Sequence, residues 1–566
     1  MATPVQEEQD QNQNEAVASS TDENILGPNP VVGVSTRDIL NTTASILRQM
    51  IAQPDVTTKH TTLWLSELVN ILEGKSEVLP DGKDRRFQDP AWQESWLYKA
   101  LMQFYLATDK GLKEWVSDTD LSQLDKDRAE FVVALVSDAL SPSNTTLNPA
   151  ALKRAVDTGG MSVLKGMNHL LEDMINNGGV PSSVDKSAFK VGENLASTPG
   201  AVIYRNEMFE LIQYQPATKK VHERPLLIAP PQINRFYVFD LSPDKSLVKY
   251  ALEQGVQVFI ISWRNPTPAQ RDWGLETYVS VLQHALDLVC RVAGSADCNL
   301  MGACSGGITT LALLGNLAAR KERKVNAATL LVSVFDTSSQ TLLNLFTTHA
   351  TLEAARQYSK QKGVLDGKDL QRAFAWMRPN DLIWNYWVNN YLMGKEPPAL
   401  DILYWNSDTT RLPAKFHSDL LTLYEKNPLV QPGALVILGT PIDVSQIPTD
   451  FYVLAGVTDH ITPWKACYQS SKLLSGNVEF VLSNSGHIQS ILNPPGNPKA
   501  NFFTNPARPD DPEEWLSSAT KQAGSWWEHW CPWIKDHSGD TKAAPKVLGN
   551  DDYPPLAEAP GTYVYE

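Results

Sequence analysis

Gly302-Ala303-Cys304-Ser305-Gly306 sets a thiol between two glycines. The pattern has the form of a nucleophile elbow, a sharp strand-to-helix turn, with cysteine where serine is usual. The flanks suit it. Cys298-Asn299-Leu300-Met301 reads as a short buried strand, and residues 308–314 can run on as a helix. Small neighbours let the nucleophile project while the chain folds back. A thiol so placed points to acyl transfer through a thioester. Taken alone, the pentapeptide also fits a buried cysteine in a Gly-rich turn, so its partners decide.

An elbow nucleophile needs an acid and then a base, each on a loop after a late strand. Phe451-Tyr452-Val453-Leu454-Ala455 reads as a strand and is followed by Gly456-Val457-Thr458-Asp459-His460. Val478-Glu479-Phe480-Val481-Leu482 reads as the next, followed by Ser483-Asn484-Ser485-Gly486-His487. Cys304, Asp459 and His487 thus fall in the order nucleophile, acid, base, which is that of α/β hydrolases. His460 is the rival base, but it adjoins the acid and should point away. Cys290, Cys298, Cys467 and Cys531 lack the elbow and read as buried thiols. An oxyanion hole needs two backbone N–H groups. Ser305 should give one. The other should come from Pro230-Pro231-Gln232-Ile233-Asn234, after the strand at 226–229; Ile233 is the candidate donor and Gln232 the alternative.

The elements that must position these residues alternate along the chain. Strands are expected at 201–204, 208–214, 226–229, 256–262, 298–303, 329–335, 451–455 and 478–482, with helical stretches between them. That alternation predicts an α/β fold with a mainly parallel sheet. Between about 336 and 448 the strand signal fades into helix formers and aromatics, an expected cap insertion. Residues 31–190 read as a helical N-terminal domain, 191–566 as an α/β-hydrolase catalytic domain, and 1–30 as a disordered acidic tail. The segment from Ala544 to Glu566 is rich in Pro and Gly and reads as irregular.

Composition narrows the function. The chain has 566 residues, of which 42% are hydrophobic and 20% charged. A net charge of -15 argues against nucleic-acid binding. No apolar run reaches the roughly 20 residues of a spanning helix. Residues 1–36 hold no Lys or Arg, so no secretory signal is expected. Five scattered cysteines show neither a disulfide framework nor zinc-ligand spacing, which fits a reducing, cytoplasmic setting. The 16 tryptophans read chiefly as core, a minority being candidates to touch an apolar surface.

The elbow Gly-Ala-Cys-Ser-Gly-Gly resembles the lipase-like box of polyhydroxyalkanoate synthases, in which cysteine replaces the lipase serine. Further stretches are similar to that family: Asp84-Arg85-Arg86-Phe87-Gln88-Asp89-Pro90-Ala91-Trp92, Ser141-Pro142-Ser143-Asn144, Ser262-Trp263-Arg264-Asn265-Pro266, Gly456-Val457-Thr458-Asp459-His460 and Asn484-Ser485-Gly486-His487-Ile488. The ending Leu548-Gly549-Asn550-Asp551-Asp552-Tyr553-Pro554-Pro555-Leu556 resembles the class II enzymes. The resemblance implies polymerisation of medium-chain-length (R)-3-hydroxyacyl-CoA with release of CoA, no metal or other cofactor, and a Cys304 thioester intermediate. It implies a homodimer at the surface of cytoplasmic polyhydroxyalkanoate granules, in contact with the growing polyester and with granule-associated proteins. His487 would deprotonate Cys304; Asp459 would orient His487 or help activate the 3-hydroxyl. A medium-length acyl chain needs a long apolar pocket, and Ser333, Ser485 and Gln489 are the candidates to border it. The N-terminal domain and the Trp-rich C-terminal helix are candidates for granule contact, against ordinary packing. A thioesterase or lactone hydrolase on the same fold is the alternative, and a non-catalytic granule-binding protein the third reading.

Overall fold

The structure, a computed structural model, describes residues 36–82, 84–338, 345, 346 and 348–566. The expected tail at 1–30 lies outside the described residues. The chain divides into two compact units, one of residues 1–185, 345–351 and 372–399, the other of residues 186–344, 352–371 and 400–566.

In the second unit the described residues form an eleven-stranded sheet. Its strands are β1 (Gly200–Arg205), β2 (Phe209–Tyr214), β3 (Leu226–Ala229), β4 (Val258–Trp263), β5 (Cys298–Ala303), β6 (Val325–Leu331), β7 (Asp450–Gly456), β8 (Val478–Ser483), β9 (Asn501–Thr504), β10 (Thr520–Ala523) and β11 (Ala557–Glu558). Their order across the sheet is β10-β9-β8-β7-β6-β5-β3-β4-β2-β1-β11. The six central strands, β8 to β4, are parallel, and the flanking strands are antiparallel. Alternate residues of the central strands, among them Ile228, Ile260, Met301 and Leu454, enter one core cluster with the helices Leu247–Glu253 and Trp526–Asp536. The intervening residues, such as Leu227, Phe259, Leu300 and Val453, are buried too. Both faces of the sheet are therefore covered, which is why these strands read as continuous apolar runs.

Most strands lie where the sequence places them. The sixth is displaced: it is expected at 329–335 and found at Val325–Leu331. Val332 takes a positive φ of 44° and turns the chain out of the sheet, while Val332 and Phe335 stay buried. The apolar run therefore continues past the strand as buried loop. The segment 544–566, expected to be irregular, contributes the edge strand β11. No helix among the described residues is long and apolar enough to cross a membrane.

The Trp-rich C-terminal helix is core rather than surface. Trp526, Trp527 and Trp530 are buried, and each indole N–H has a partner: Ser490 C=O at 2.6 Å, Ile491 C=O at 3.2 Å and Thr329 Oγ1 at 3.0 Å. Buried indoles need such partners.

The first unit is helical, with Thr36–Ala52, Pro54–Leu72, Trp96–Asp118, Gln123–Ala139, Pro149–Asp157 and Met161–Asn176 as its main helices. The Asp84-Arg85-Arg86-Phe87 stretch is a packing device. Arg86 clasps Asp84, reaches the Tyr105 hydroxyl at 2.8 Å and Asp138 at 3.3 Å, and Phe87 packs edge-on against Trp92. Residues 372–399, from between β6 and β7, belong to this unit. There Tyr391 donates to buried Asp173 at 2.8 Å. At Gly166 a Cβ would lie 1.9 Å from the Tyr391 carbonyl, so only glycine permits that approach.

Trp530→Ala removes a side chain that is 0% exposed. It should cost the catalytic unit about 3–5 kcal/mol, read in denaturant unfolding; a loss under about 1 kcal/mol would place that indole outside the load of the core.

Candidate active site

The strand ends align. Ala229 pairs with Gly302, Ala303 and Leu454 each pair with Leu331, and Gly456 pairs with Ser483. The loops leaving β3, β5, β7 and β8 at their carboxyl ends therefore converge, and they carry Ile233, Cys304, Asp459 and His487. In parallel sheets this edge is where sites form, because connections on either side part there.

Cys304 sits at the tip of the elbow with φ 51° and ψ −121°, a strained conformation for a residue with a side chain. Its N–H donates to Leu331 C=O at 3.0 Å, and its C=O accepts from Gly307 N–H at 3.0 Å. Neighbouring glycines make the turn possible. A Cβ on Gly302 would lie 2.5 Å from Thr310 Oγ1, and one on Gly306 would lie 2.4 Å from Ala229 C=O. Cys304 stands at the N-cap position of the helix Ser305–Ala319. Ser333 lies beneath the elbow, 2% exposed, donating to Leu331 C=O at 2.9 Å and Cys304 C=O at 3.2 Å. Its hydroxyl braces the turn.

Asp459 and His487 are both buried and meet at 2.7 Å through Oδ2 and Nδ1. The Cys304 thiol lies close enough to His487 to act on its charge. With Nδ1 on the carboxylate, Nε2 is the nitrogen left for proton exchange. Burial alone would push the imidazole's pKa down; Asp459 outweighs it, with help from Cys304, and raises the value to about 10. With Asp459 ionised, the stabilisation that His487's raised pKa contributes is fully present below the ordinary 6.5 and is lost as pH rises through about 10. Asp459 itself is pulled up by burial but held below its ordinary value by His487 and by hydrogen bonds from its own loop. Those come from Ile461 N–H and Thr462 N–H, each 2.9 Å from Oδ1, and from Thr462 Oγ1, 2.7 Å from Oδ2. His460 is not in this set.

Thr462 is the residue that sequence reasoning missed. Its hydroxyl also lies 3.0 Å from His487 Nδ1. The signal was present: an Asp that accepts from the N–H groups two and three residues on forms a local turn in which a Thr at the third position is placed to bond it. Trp526 and Trp527 are the other unforeseen supports. Their indoles hold the Ser490 and Ile491 carbonyls at the end of the short helix His487–Ile491.

On the oxyanion side, Gln232 N–H is spent on Ser305 Oγ at 3.1 Å. Among the described residues, Ile233 N–H and Ser305 N–H have no hydrogen-bond partner. Of the two sequence candidates, Ile233 is the one with a donor to offer. Ser485 is half-buried beside the base and its C=O accepts from Thr458 N–H at 3.2 Å; Gln489 is exposed on the base's helix. Half-buried Tyr424 lies near Cys304.

A doubly covered parallel sheet with a cysteine elbow, an aspartate and a histidine at its carboxyl edge defines an α/β-hydrolase-fold protein with a thiol at the elbow. Residues 239–494 match the alpha/beta hydrolase fold family, and residues 83–251 match the family described as poly-beta-hydroxybutyrate polymerase (PhaC) N-terminus. Poly(3-hydroxyalkanoate) polymerase 1 of Ectopseudomonas oleovorans is 55% identical, over 98% of this chain and 99% of its own length. Polymerase 2 of the same organism is 50% identical over 95% and 96%, and the polymerase subunit PhaC of Cupriavidus necator is 38% identical over 87% and 85%. The chain belongs to the poly(3-hydroxyalkanoate) polymerase family.

Asp459→Asn removes the charge that outweighs burial at His487. The imidazole's titration should move from about 10 to 6.5 or lower, followed by NMR of ring-labelled histidine and assigned with His487→Gln. An unmoved titration would mean that Asp459 does not set the charge of the imidazole.

Proposed function

We propose that this enzyme polymerises medium-chain-length (R)-3-hydroxyacyl-CoA into polyhydroxyalkanoate, releasing CoA, through an acyl thioester on Cys304. The observation that carries the reading is the buried Asp459–His487 pair at the strand ends that also carry Cys304, with sulfur at the tip of a strained elbow.

The steps follow from that geometry. His487 Nε2 holds the proton that Cys304 gives up, so that imidazolium and thiolate form a pair, and the thiolate attacks the thioester carbonyl of the substrate. The oxygen of the tetrahedral intermediate gains negative charge and is received by the N–H groups of Ile233 and Ser305. The C–S bond to CoA breaks, and His487 returns the proton to the departing thiolate. One thioester has replaced another, so the acyl group stays activated. His487 Nε2 then takes the proton of the 3-hydroxyl of a second acyl unit as that oxygen attacks the Cys304 thioester; the C–S bond to Cys304 breaks, the proton passes to the released sulfur, and the new oxoester lengthens the chain. Asp459 acts as the group that orients and charges His487. Both its oxygens are engaged and its pKa is depressed, so it is a poor base for the 3-hydroxyl.

Water competes with the 3-hydroxyl for the thioester. We read the insertion at about 336–448, rich in aromatics, as the cap that keeps water out. The helical domain at 31–190 is the segment we assign to contact with the cytoplasmic granule and its associated proteins, and the active species as a homodimer. Ser485 and Gln489, flanking the base, remain the candidates for the acyl pocket.

The test is CoA release from (R)-3-hydroxydecanoyl-CoA with the product identified. Wild type should give polymer plus CoA, and Cys304→Ala should lose activity by about 10³-fold or more. Free 3-hydroxydecanoate in place of polymer would make the enzyme a thioesterase. Full activity of Cys304→Ala would remove the thioester route.

A further inference from the structure

The segment between β6 and β7 returns to the sheet through the helix Asp401–Ser407, and the residues around its end grip the turn after β3. Thr410, 6% exposed, makes two contacts there. Its hydroxyl donates to Gln232 C=O at 3.2 Å and accepts from Asn234 N–H at 2.8 Å. Trp405 Nε1–H donates to Arg235 C=O at 2.8 Å, and Asp408 accepts from the Tyr237 hydroxyl at 2.7 Å. The turn needs such support, because Asn234 sits at φ 64°.

Gln232 C=O and Ile233 N–H belong to one peptide group. That group is planar, and its C=O and N–H point in opposite directions. Whatever holds the carbonyl fixes the direction of the N–H. Gln232 N–H, on the preceding peptide, is tied to Ser305 Oγ at 3.1 Å, so the turn is held to the elbow on one side and to Thr410 on the other.

We infer that Thr410 is a positioning residue for the oxyanion hole, fixing through the Gln232 carbonyl the peptide plane whose other edge is the Ile233 N–H. The inference rests on the Cys304 thioester reading above. It makes the segment between β6 and β7 part of the catalytic geometry: displacing that segment's return would turn the donor away from the intermediate.

Thr410→Val keeps the shape and removes the hydroxyl; Thr410→Ser keeps the hydroxyl. Two reactions of Cys304 separate the possibilities. Acylation by (R)-3-hydroxydecanoyl-CoA, read as CoA release, develops an oxyanion. Alkylation by iodoacetamide uses the same thiol and base without one. Thr410→Val should lower kcat for CoA release at least about 10-fold, where outright loss of such a donor costs ~10²–10³-fold. KM and the alkylation rate should stay near wild type, and Thr410→Ser should recover most of kcat. Wild-type kcat in Thr410→Val would overturn the inference. So would parallel losses of acylation and alkylation, or no recovery with serine. Cys304→Ala, run alongside, keeps the two levels apart. If it still released CoA, the thioester reading would fall and this inference with it. If it were inactive while Thr410→Val behaved as wild type, this inference alone would fall.

Discussion

The structure turns on a steric constraint at one residue. Cys304 is held at a positive φ, and the chain on either side of it is packed so closely that Gly302 and Gly306 have no room for a Cβ. The strain is stored where the nucleophile must project. It is balanced by the sheet, which fixes the elbow's strand between β3 and β6, and by the backbone hydrogen bonds that Cys304 donates to Leu331 and accepts from Gly307. The rest of the site is arranged around that fixed point. The base approaches sulfur from the end of β8, and the oxyanion donors come from the elbow helix and from the turn after β3.

The second organising principle is that a buried charge must be matched. Asp459 and His487 sit in a place that would ordinarily neutralise both. Each keeps the other ionised, and the loop at 459–462 finishes the work by giving the carboxylate its remaining donors. A carboxylate so saturated is fixed in position, which makes it an orienting group. The chemistry is left to the imidazole and the thiol.

Much of this was legible in the sequence because it rests on local pattern. The elbow needs glycines at fixed offsets. The acid and base each follow a short apolar run, and such runs are the mark of a strand buried on both faces. What was not legible depends on tertiary contact. The run from Val332 to Phe335 is as apolar as a strand, yet a single positive φ takes it out of the sheet. Strands β9 to β11 are short and lie toward the sheet's two edges, where the apolar signal is weak. Thr462 belongs to a loop and follows no period. Ser333, a candidate to border the acyl pocket, lies just past the end of β6, and its hydroxyl is turned to the backbone of the elbow. The tryptophans at 526–530 read chiefly as core, with surface contact as the alternative, and their indole partners make them core.

Those tryptophans also bear on how the enzyme comes into being. The carbonyls that end the base's helix are held by indoles 36 residues further along the chain. Synthesis runs from the N-terminus, and a nascent chain can complete only the contacts whose residues have left the ribosome. The thiol, the acid and the base are all made before the side chains that steady the base. A ribosome-bound polymerase therefore carries its nucleophile without the anchor that aims its proton acceptor, and assembly of the reactive centre waits for side chains made after all three of its members.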